Sequence, residues 1–178
     1  IHYYYMRDFW VHTGESPIIY RYIDWLLTVP LQMIEFYLIL LAAGIAVSQN
    51  VFWRLLIGTL IMLLGGYAGE AGLISPALGF VIGMAGWLLI LYEIFAGEAS
   101  KINADSANAS CQKAFNALRL IVTIGWAIYP IGYVFGYLLE SSNINAVNII
   151  YNYADLINKT AFGLVIWAAA IKDSEASA

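Results

Sequence analysis

The sequence predicts an all-α membrane protein, and three observations support this. Of its 178 residues, 62% are apolar and only 11% are charged, whereas a soluble domain is nearer half apolar and a quarter charged. Five apolar stretches are long enough to cross ~30 Å of hydrocarbon as helices that rise about 1.5 Å per residue. Short polar connectors separate them. A chain this apolar could not cover its surface with polar groups, so we expect lipid to surround it.

The elements follow in chain order. We expect spans at about 18–47, 52–67, 77–95, 114–139 and 146–171, with residues 1–11 as the tail of an earlier helix. The second span is short unless residues 69–73 extend it. Turn signals lie at 14–17 (GESP) and at 71–76 (AGLISP). We expect a polar surface loop at 98–110, a tight loop at 141–145 and a polar tail at 172–178.

Composition also limits the class of protein. The net charge of −4 offers no basic patch for nucleic acid, and the one cysteine, Cys111, can form neither an internal disulfide nor a metal site. No repeat or second domain is visible, so we interpret residues 1–178 as a single transmembrane domain. Ile1 opens the chain next to an aromatic run, which suggests a sequence cut from a longer one.

The distribution of positive charge predicts the orientation. The span ends on the side of the carboxyl tail carry several cations: Arg54, Lys101, Lys113, Arg119 and Lys172. On the other side Arg7 is the one loop cation, and Glu15, Glu70 and Glu140 lie nearby. Because cytoplasmic loops carry an excess of Lys and Arg, we expect the carboxyl tail to be cytoplasmic.

Five charged residues fall inside the first and last predicted spans, where charge is costly and marks functional candidates. They are Arg21, Asp24 and Glu35 in the first span and Asp155 and Lys159 in the last. Asp24 and Glu35 are three helical turns apart, about 16 Å along one face. Asp155 and Lys159 stack at i and i+4. The pattern indicates a proton relay beside a cation in mid-membrane, although structural ion pairs that hold a bundle together would use the same residue types.

A lysine in mid-membrane has a specific chemical use. Its neutral amine is the form that condenses with an aldehyde to a Schiff base. Once protonated, that group needs a counterion, which Asp24 and Asp155 are placed to supply. Four aromatic residues in the middle or outer halves of three spans would suit a flat apolar ligand, or they are ordinary packing and interface residues: Trp25, Trp87, Trp126 and Tyr129.

Several motifs together resemble the proteorhodopsins, a branch of the microbial rhodopsin family, over essentially the whole chain. The run RYIDWLLTVPL at 21–31 resembles their third helix, and Glu35 completes the Asp-Thr-Glu pattern of their proton pumps. The run GYAGEAG at 66–72 matches the end of the fourth helix, GWAIYP at 125–130 the sixth, and YADLINK at 153–159 the seventh. The resemblance implies a seven-helix bundle, of which this chain holds the end of the second helix through the seventh.

The resemblance also implies the proton chemistry. Lys159 would bind all-trans retinal covalently as a Schiff base. Asp24 would be the counterion and primary proton acceptor, with Asp155 as the second counterion. Glu35 would return a proton to the Schiff base from the cytoplasmic side.

Other positions follow from the same resemblance. Arg21 would tune the acceptor region, His2 would hydrogen-bond the acceptor carboxylate, and a glutamine at Gln32 is similar to the blue-absorbing variety. The expected lining of the retinal pocket is Trp25, Thr28, Met62, Trp87, Trp126 and Tyr129.

The implied function is a light-driven outward proton pump in the bacterial cell membrane, a transporter rather than an enzyme. Its expected partners are lipid, protons and other copies of the full-length protein, with no metal and no nucleic acid. A retinal-based light sensor with a slow photocycle is the alternative, although a sensor does not need Glu35. Pumps for other ions carry different residues in place of Asp-Thr-Glu, and a secondary transporter would show inverted repeats and broken helices.

Overall fold

The computed structural model describes residues 1–139 and 144–177, and none of these residues forms a β-strand. The α-helices are α1 His2–Thr13, α2 Ile18–Ala42, α3 Gln49–Glu70, α4 Pro76–Phe95, α5 Glu98–Ser106, α6 Ala109–Leu120, α7 Ile128–Tyr133 and α8 Ile144–Ser177. Two π-helical turns, Ile121–Gly125 and Val134–Leu138, follow α6 and α7 and continue them into one long helix.

The five predicted spans are confirmed. Among the described residues, helices at Ile18–Ala42, Gln49–Glu70, Pro76–Ser106, Ala109–Leu138 and Asn145–Glu175 are long and apolar enough to cross a membrane. The second is a full span of 22 residues, Gln49–Glu70. Ser48 caps its start by accepting a hydrogen bond from the Asn50 amide, 3.1 Å away. Both predicted turns are present, each with a glycine in the left-handed conformation, Gly14 and Gly72, both at φ 72°.

The prediction of a surface loop at 98–110 is wrong for most of its length, because residues 98–106 form α5. The buried carboxylate of Glu93, at the end of α4, accepts a hydrogen bond from the Ala99 amide at 2.9 Å and so satisfies one of the free donors of the α5 amino terminus. Arg54 of α3 bonds both Glu93, at 2.9 Å, and Glu98, at 3.3 Å. These tertiary contacts override the polar composition that favoured a loop.

The carboxyl end also differs from the expectation. Helix α8 continues to Ser177, so the predicted polar tail is helical as far as that residue. Most of the predicted loop at 141–145, together with Glu140, lies outside the described residues, and α8 already includes 144 and 145.

Glycines allow α3 and α4 to pack closely. Three on each helix lie along the contact: Gly58, Gly65 and Gly69 on α3, and Gly79, Gly83 and Gly86 on α4. A Cβ atom on Gly79 would lie only 2.6 Å from the Gly69 Cα. Small residues at this spacing let helix backbones approach each other in membranes, where packing rather than the hydrophobic effect drives association.

Helix α8 supports the irregular turns that precede and contain the aromatic motif at 125–130. A π-helical turn and Pro130 both disturb the regular backbone hydrogen bonding there. Asn158 donates its side-chain amide to the Gly125 carbonyl at 3.0 Å, and Tyr151 donates its hydroxyl to the Tyr129 carbonyl at 2.9 Å. These bonds fix the segment against the helix that carries Lys159.

Candidate functional site

The site is centred on the amine of Lys159 in α8, which lies between two carboxylates. Its Nζ forms an ion pair with Asp24 of α2 and lies 3.4 Å from Oδ2 of Asp155, one turn earlier in α8. The side chain of Asp155 is only 3% exposed, and that of Asp24 13%. The structure therefore brings together Lys159 and the two carboxylates that the sequence analysis expected beside it.

Asp155 accepts hydrogen bonds from uncharged donors in three different helical segments. Trp25 donates its indole N–H to Oδ2 at 2.8 Å, Tyr129 donates its hydroxyl to Oδ1, and Tyr3 donates its hydroxyl to Oδ2. Hydrogen bonds to the charged form of a carboxylate stabilise that form. Asp155 thus has three uncharged donors, whereas Asp24 contacts Tyr3 and Lys159.

Tyr3 was missed in the sequence analysis. Its hydroxyl also lies 3.0 Å from Asp24 Oδ2 and accepts a hydrogen bond from Lys159 Nζ at 3.1 Å, so it joins both carboxylates to the amine. Nothing in the sequence distinguishes Tyr3 from Tyr4 and Tyr5, because only the packing of α1 on α2 decides which of the three faces inward.

His2 lies elsewhere. Its Nε2 is 2.6 Å from the Tyr20 carbonyl oxygen. Adjacent helical residues point about 100° apart, so the orientation that brings Tyr3 to Asp24 turns His2 away. The hydrogen bond expected between His2 and Asp24 is not among the contacts of the described residues, and the role of His2 stays a prediction.

Arg21 is buried one turn from Asp24 but faces the end of the bundle that carries the 14–17 turn. Its guanidinium donates to Asn148 Oδ1 at 2.6 Å and to Ser16 Oγ at 3.3 Å, and it lies 4.9 Å above the Tyr151 ring. Its ion pair is with Glu70, at 4.0 Å. None of these contacts of Arg21 is with Asp24, so its expected role toward Asp24 stays a prediction.

Glu70 is a second buried carboxyl that sequence reasoning had assigned only to the outer surface. It accepts hydrogen bonds from the hydroxyls of Tyr22, at 3.0 Å, and Tyr137, at 2.9 Å. Its side chain is 2% exposed. Its place in the motif at 66–72 was the available signal, but its location at a span end suggested exposure to solvent.

An apolar cavity begins beside Lys159 and extends between α2, α3, α4 and the helix that contains α7. It contains about 790 Å³ of space between atoms, part of it open to the outside. Most of the predicted pocket residues line it, together with Asp155 and Lys159 of α8: Trp25, Gln32, Met62, Trp87, Trp126 and Tyr129. The volume and the aromatic walls are typical of a site for a small apolar molecule, and an amine at one end suits an aldehyde such as retinal.

Two predicted pocket residues differ in placement. Gln32 is 9% exposed and lines the cavity, as expected for a residue that contacts a ligand. Thr28 is not among the lining residues, and its hydroxyl donates to the backbone carbonyl of Asp24 at 3.0 Å. Thr28 thus bonds the helix one turn before it, near the acceptor rather than in the cavity.

Glu35 lies apart from this centre. It is half-buried near the other end of α2, about 16 Å from Asp24 along the helix. The next residue, Phe36, is buried, and its ring contacts those of Phe115 and Phe162 at 5.1 and 6.0 Å. The three rings form an apolar cluster between α2, α6 and α8.

Known proteins resemble this chain in sequence. The family described as bacteriorhodopsin-like protein matches residues 1–173. The chain is 51% identical to blue-light absorbing proteorhodopsin of Gamma-proteobacterium Hot 75m4, over 97% of this chain and 69% of that protein. It is 49% identical to green-light absorbing proteorhodopsin of Gamma-proteobacterium EBAC31A08, with the same two coverages.

A solved structure shows the same fold. The crystal structure of blue light-absorbing proteorhodopsin from Med12 matches with a TM-score of 0.80 and 56% identity, over 97% of this chain and 76% of that one. With five membrane-spanning helices and these relatives, the chain belongs to the bacteriorhodopsin-like family and has the fold of the seven-helix microbial rhodopsins.

Proposed function

We propose that this chain is the greater part of a light-driven outward proton pump in a bacterial cell membrane. In this proposal residues 1–178 form one domain, the end of the second helix through the seventh. The observation that carries the proposal is the amine of Lys159, held between Asp24 and Asp155 at the end of an aromatic-walled cavity. The separate carboxyl of Glu35 adds the second proton-carrying group that a pump needs.

The cavity and the amine fit all-trans retinal, bound covalently to Lys159 as a Schiff base. When bound, retinal supplies the light absorption and isomerisation that lower the proton affinity of the Lys159 nitrogen. The aromatic and apolar side chains around the cavity hold the polyene and exclude water from it. Gln32, on the cavity wall, places an amide dipole where it can shift the absorption to the blue.

Asp24 is the residue placed to take the proton from the Lys159 nitrogen. It makes direct contact with that nitrogen, and its side chain is less buried than that of Asp155. Three uncharged hydrogen-bond donors hold the Asp155 carboxyl in place, and we assign Asp155 the role of second counterion. Arg21 and Glu70 lie between Asp24 and the 14–17 turn, the side we assign to the outside.

Glu35 is the residue placed to return a proton to the Lys159 nitrogen from the opposite side. In this proposal the apolar cluster of Phe36, Phe115 and Phe162 separates the Glu35 carboxyl from the Lys159 nitrogen, so a proton does not return through the bundle in the resting state. A donor and an acceptor on opposite sides of one nitrogen make the transport directional.

The positive-inside distribution supports a cytoplasmic carboxyl terminus. Large apolar side chains along α3, α4 and α8 face outward and suit a lipid environment: Trp53, Leu64, Leu88, Tyr92, Leu164 and Trp167. Association of the full-length protein with further copies is part of the proposal.

A light sensor with a slow photocycle would use the same chromophore site and is the alternative. The test is light-driven acidification of a suspension of bacterial cells that express the seven-helix parent and are supplied with all-trans retinal. We expect acidification that a protonophore abolishes, and its loss in Asp24→Asn. A pigmented parent that gives no pH change in either direction would favour the sensor.

A further inference from the structure

A second cavity adjoins Glu35 and is not part of the retinal site. It lies between α2, α6 and α8 and offers about 290 Å³ to the centres of water molecules. A cavity needs roughly 10–15 Å³ to hold one water. The space next to Glu35, which is partly open to the outside, therefore has room for several waters.

The cavity runs lengthwise from Glu35 toward the end of the bundle. Its walls on two helices follow the i, i+3, i+4, i+7 pattern of a single face: Glu35, Leu38, Ile39 and Ala42 on α2, and Ile166, Ala169, Ala170 and Asp173 on α8. Seven residues of helix span about 10 Å. Glu35 thus lies at the inner end of the cavity and Asp173 at the outer end.

Asp173 is held on the cavity wall by Asn108. The Asn108 side chain donates its amide N–H to Asp173 Oδ1 at 2.7 Å, while its own Oδ1 accepts from the Cys111 amide at 2.9 Å and caps α6. The cap fixes Asn108, and Asn108 in turn fixes the Asp173 carboxylate. Asp173 is half-buried, whereas Glu175 two residues later is exposed and does not line the cavity.

The contacts of Glu35 leave its carboxyl group accessible from the cavity. Among the residues that the structure describes, none forms a hydrogen bond or an ion pair with this group. Water in the cavity would therefore reach the Glu35 carboxyl directly. The titratable side chains on the walls are Glu35, Cys111 and Asp173, and Asp173 is the one at the mouth.

We propose that this cavity is the proton-uptake path of the pump, that Asp173 is its proton-collecting carboxylate, and that Asn108 positions Asp173. The inference rests on the proposed donor role of Glu35. Asp173 takes a proton from cytoplasmic water. Its O–H bond then breaks as the proton moves along the water chain, and an O–H bond forms on the Glu35 carboxylate. Asp173 is left ionised and is protonated again from the cytoplasm.

The test is flash photolysis of the seven-helix parent with retinal, with the Glu35 carboxyl followed by its infrared C=O band. Asp173→Asn should slow the return of that band by roughly tenfold. This is less than the typical 10²-fold for direct proton transfer because water can still deliver protons slowly. Proton transfer from Glu35 to the Lys159 nitrogen should keep its rate. Millimolar azide, a small weak acid that enters the cavity, should restore the rate at which the Glu35 band returns in Asp173→Asn. Asp173→Glu should retain most of the parent's rate for this step.

Glu175→Gln is the matched control, since it removes a neighbouring carboxylate of α8 that lies off the cavity, and it should behave as the parent does. Equal recovery in Asp173→Asn and Glu175→Gln would overturn the proposal. If Asp173→Asn forms no pigment, Asn108→Ser takes its place. Serine keeps a helix cap but removes the amide that holds Asp173, and slower recovery is again expected, with unchanged recovery contradicting the proposal.

One further variant separates this inference from the proposed function. Glu35→Gln should slow the earlier step, reprotonation of the Lys159 nitrogen. If that step is unchanged in Glu35→Gln, the donor role is wrong. If it is slowed while Asp173→Asn has no effect, the donor role stands and only the uptake path is wrong.

Discussion

Gly86 lies where α4 comes close to α3, beside the cavity that we propose for retinal. Its replacement by alanine should push the two helices apart and move the cavity wall. A Cβ atom at Gly86 would lie 2.6 Å from the Gly58 carbonyl oxygen and 2.8 Å from the Met62 Cα, and it would also contact the Met62 amide nitrogen. All three are backbone atoms in the interior of α3 and cannot rotate away as the end of a side chain would. Ordinary contact for a Cβ begins at 3.4 Å, so the helices would have to separate by at least about 0.8 Å.

The expected cost follows from this geometry. Overpacking a tight interior by one methyl typically destabilises by about 1–3 kcal/mol, and the rigid neighbours favour the upper part of that range. Met62 and Trp87, which flank the contact, line the retinal cavity. The displacement should therefore also move the cavity wall and shift the visible band.

The assay is the rate of thermal bleaching of the retinal-bound seven-helix parent, together with its absorption spectrum. Gly86→Ala should bleach faster by at least about tenfold, since each 1.4 kcal/mol corresponds to tenfold. Gly163→Ala is the matched control, because a Cβ there meets nothing within 4 Å, and alanine is the better helix former. If both variants bleach at the same rate, the close approach of α3 and α4 does not have the role assigned to it.

Three other changes test separate parts of the site. Glu35→Gln should leave deprotonation of the Lys159 nitrogen fast but slow its reprotonation, and external azide should accelerate it; an unaltered photocycle would contradict the donor role. Gln32→Leu removes the amide dipole from the cavity wall and should move the absorption maximum to longer wavelength, recorded above the pH at which Asp24 titrates; an unmoved band or a shift to shorter wavelength would refute the assignment. Glu70→Ala leaves Arg21 and two tyrosine hydroxyls without their buried carboxylate and should cost roughly 3 kcal/mol in stability, whereas Glu15→Ala, at an exposed residue, should cost little. Equal bleaching rates of these two variants would show that the Glu70 cluster is not stabilising.

The spans could be predicted from the sequence because lipid makes a simple demand on composition: about twenty apolar residues in a row. The charged residues of the centre could be predicted for the same reason, since Asp24, Asp155 and Lys159 interrupt such runs. That these three side chains meet could only be inferred, because packing between helices decides which faces of α2 and α8 turn toward each other. The retinal pocket came from the family resemblance rather than from the pattern of aromatic residues.

The features that sequence reasoning missed depend on tertiary contacts. Helix α5 forms where a loop was predicted, because Glu93 supplies a cap from another helix. The role of Tyr3 depends on which of three successive tyrosines faces Asp24. Glu70 lies at a span end, where hydropathy cannot distinguish a buried carboxyl from an exposed one. Tyr3 and Glu70 have deciding partners that are distant in the sequence, and α5 is capped by a residue of the preceding helix.

The amine of Lys159 is the anchor of the whole account, and one measurement tests it most directly. The seven-helix parent and its Lys159→Ala variant are expressed with all-trans retinal, purified and compared by visible absorption before and after treatment with hydroxylamine. We expect the parent to show a visible band and the variant to show none, since alanine has no amine with which to hold the chromophore. A visible band in Lys159→Ala that resists hydroxylamine would contradict the account.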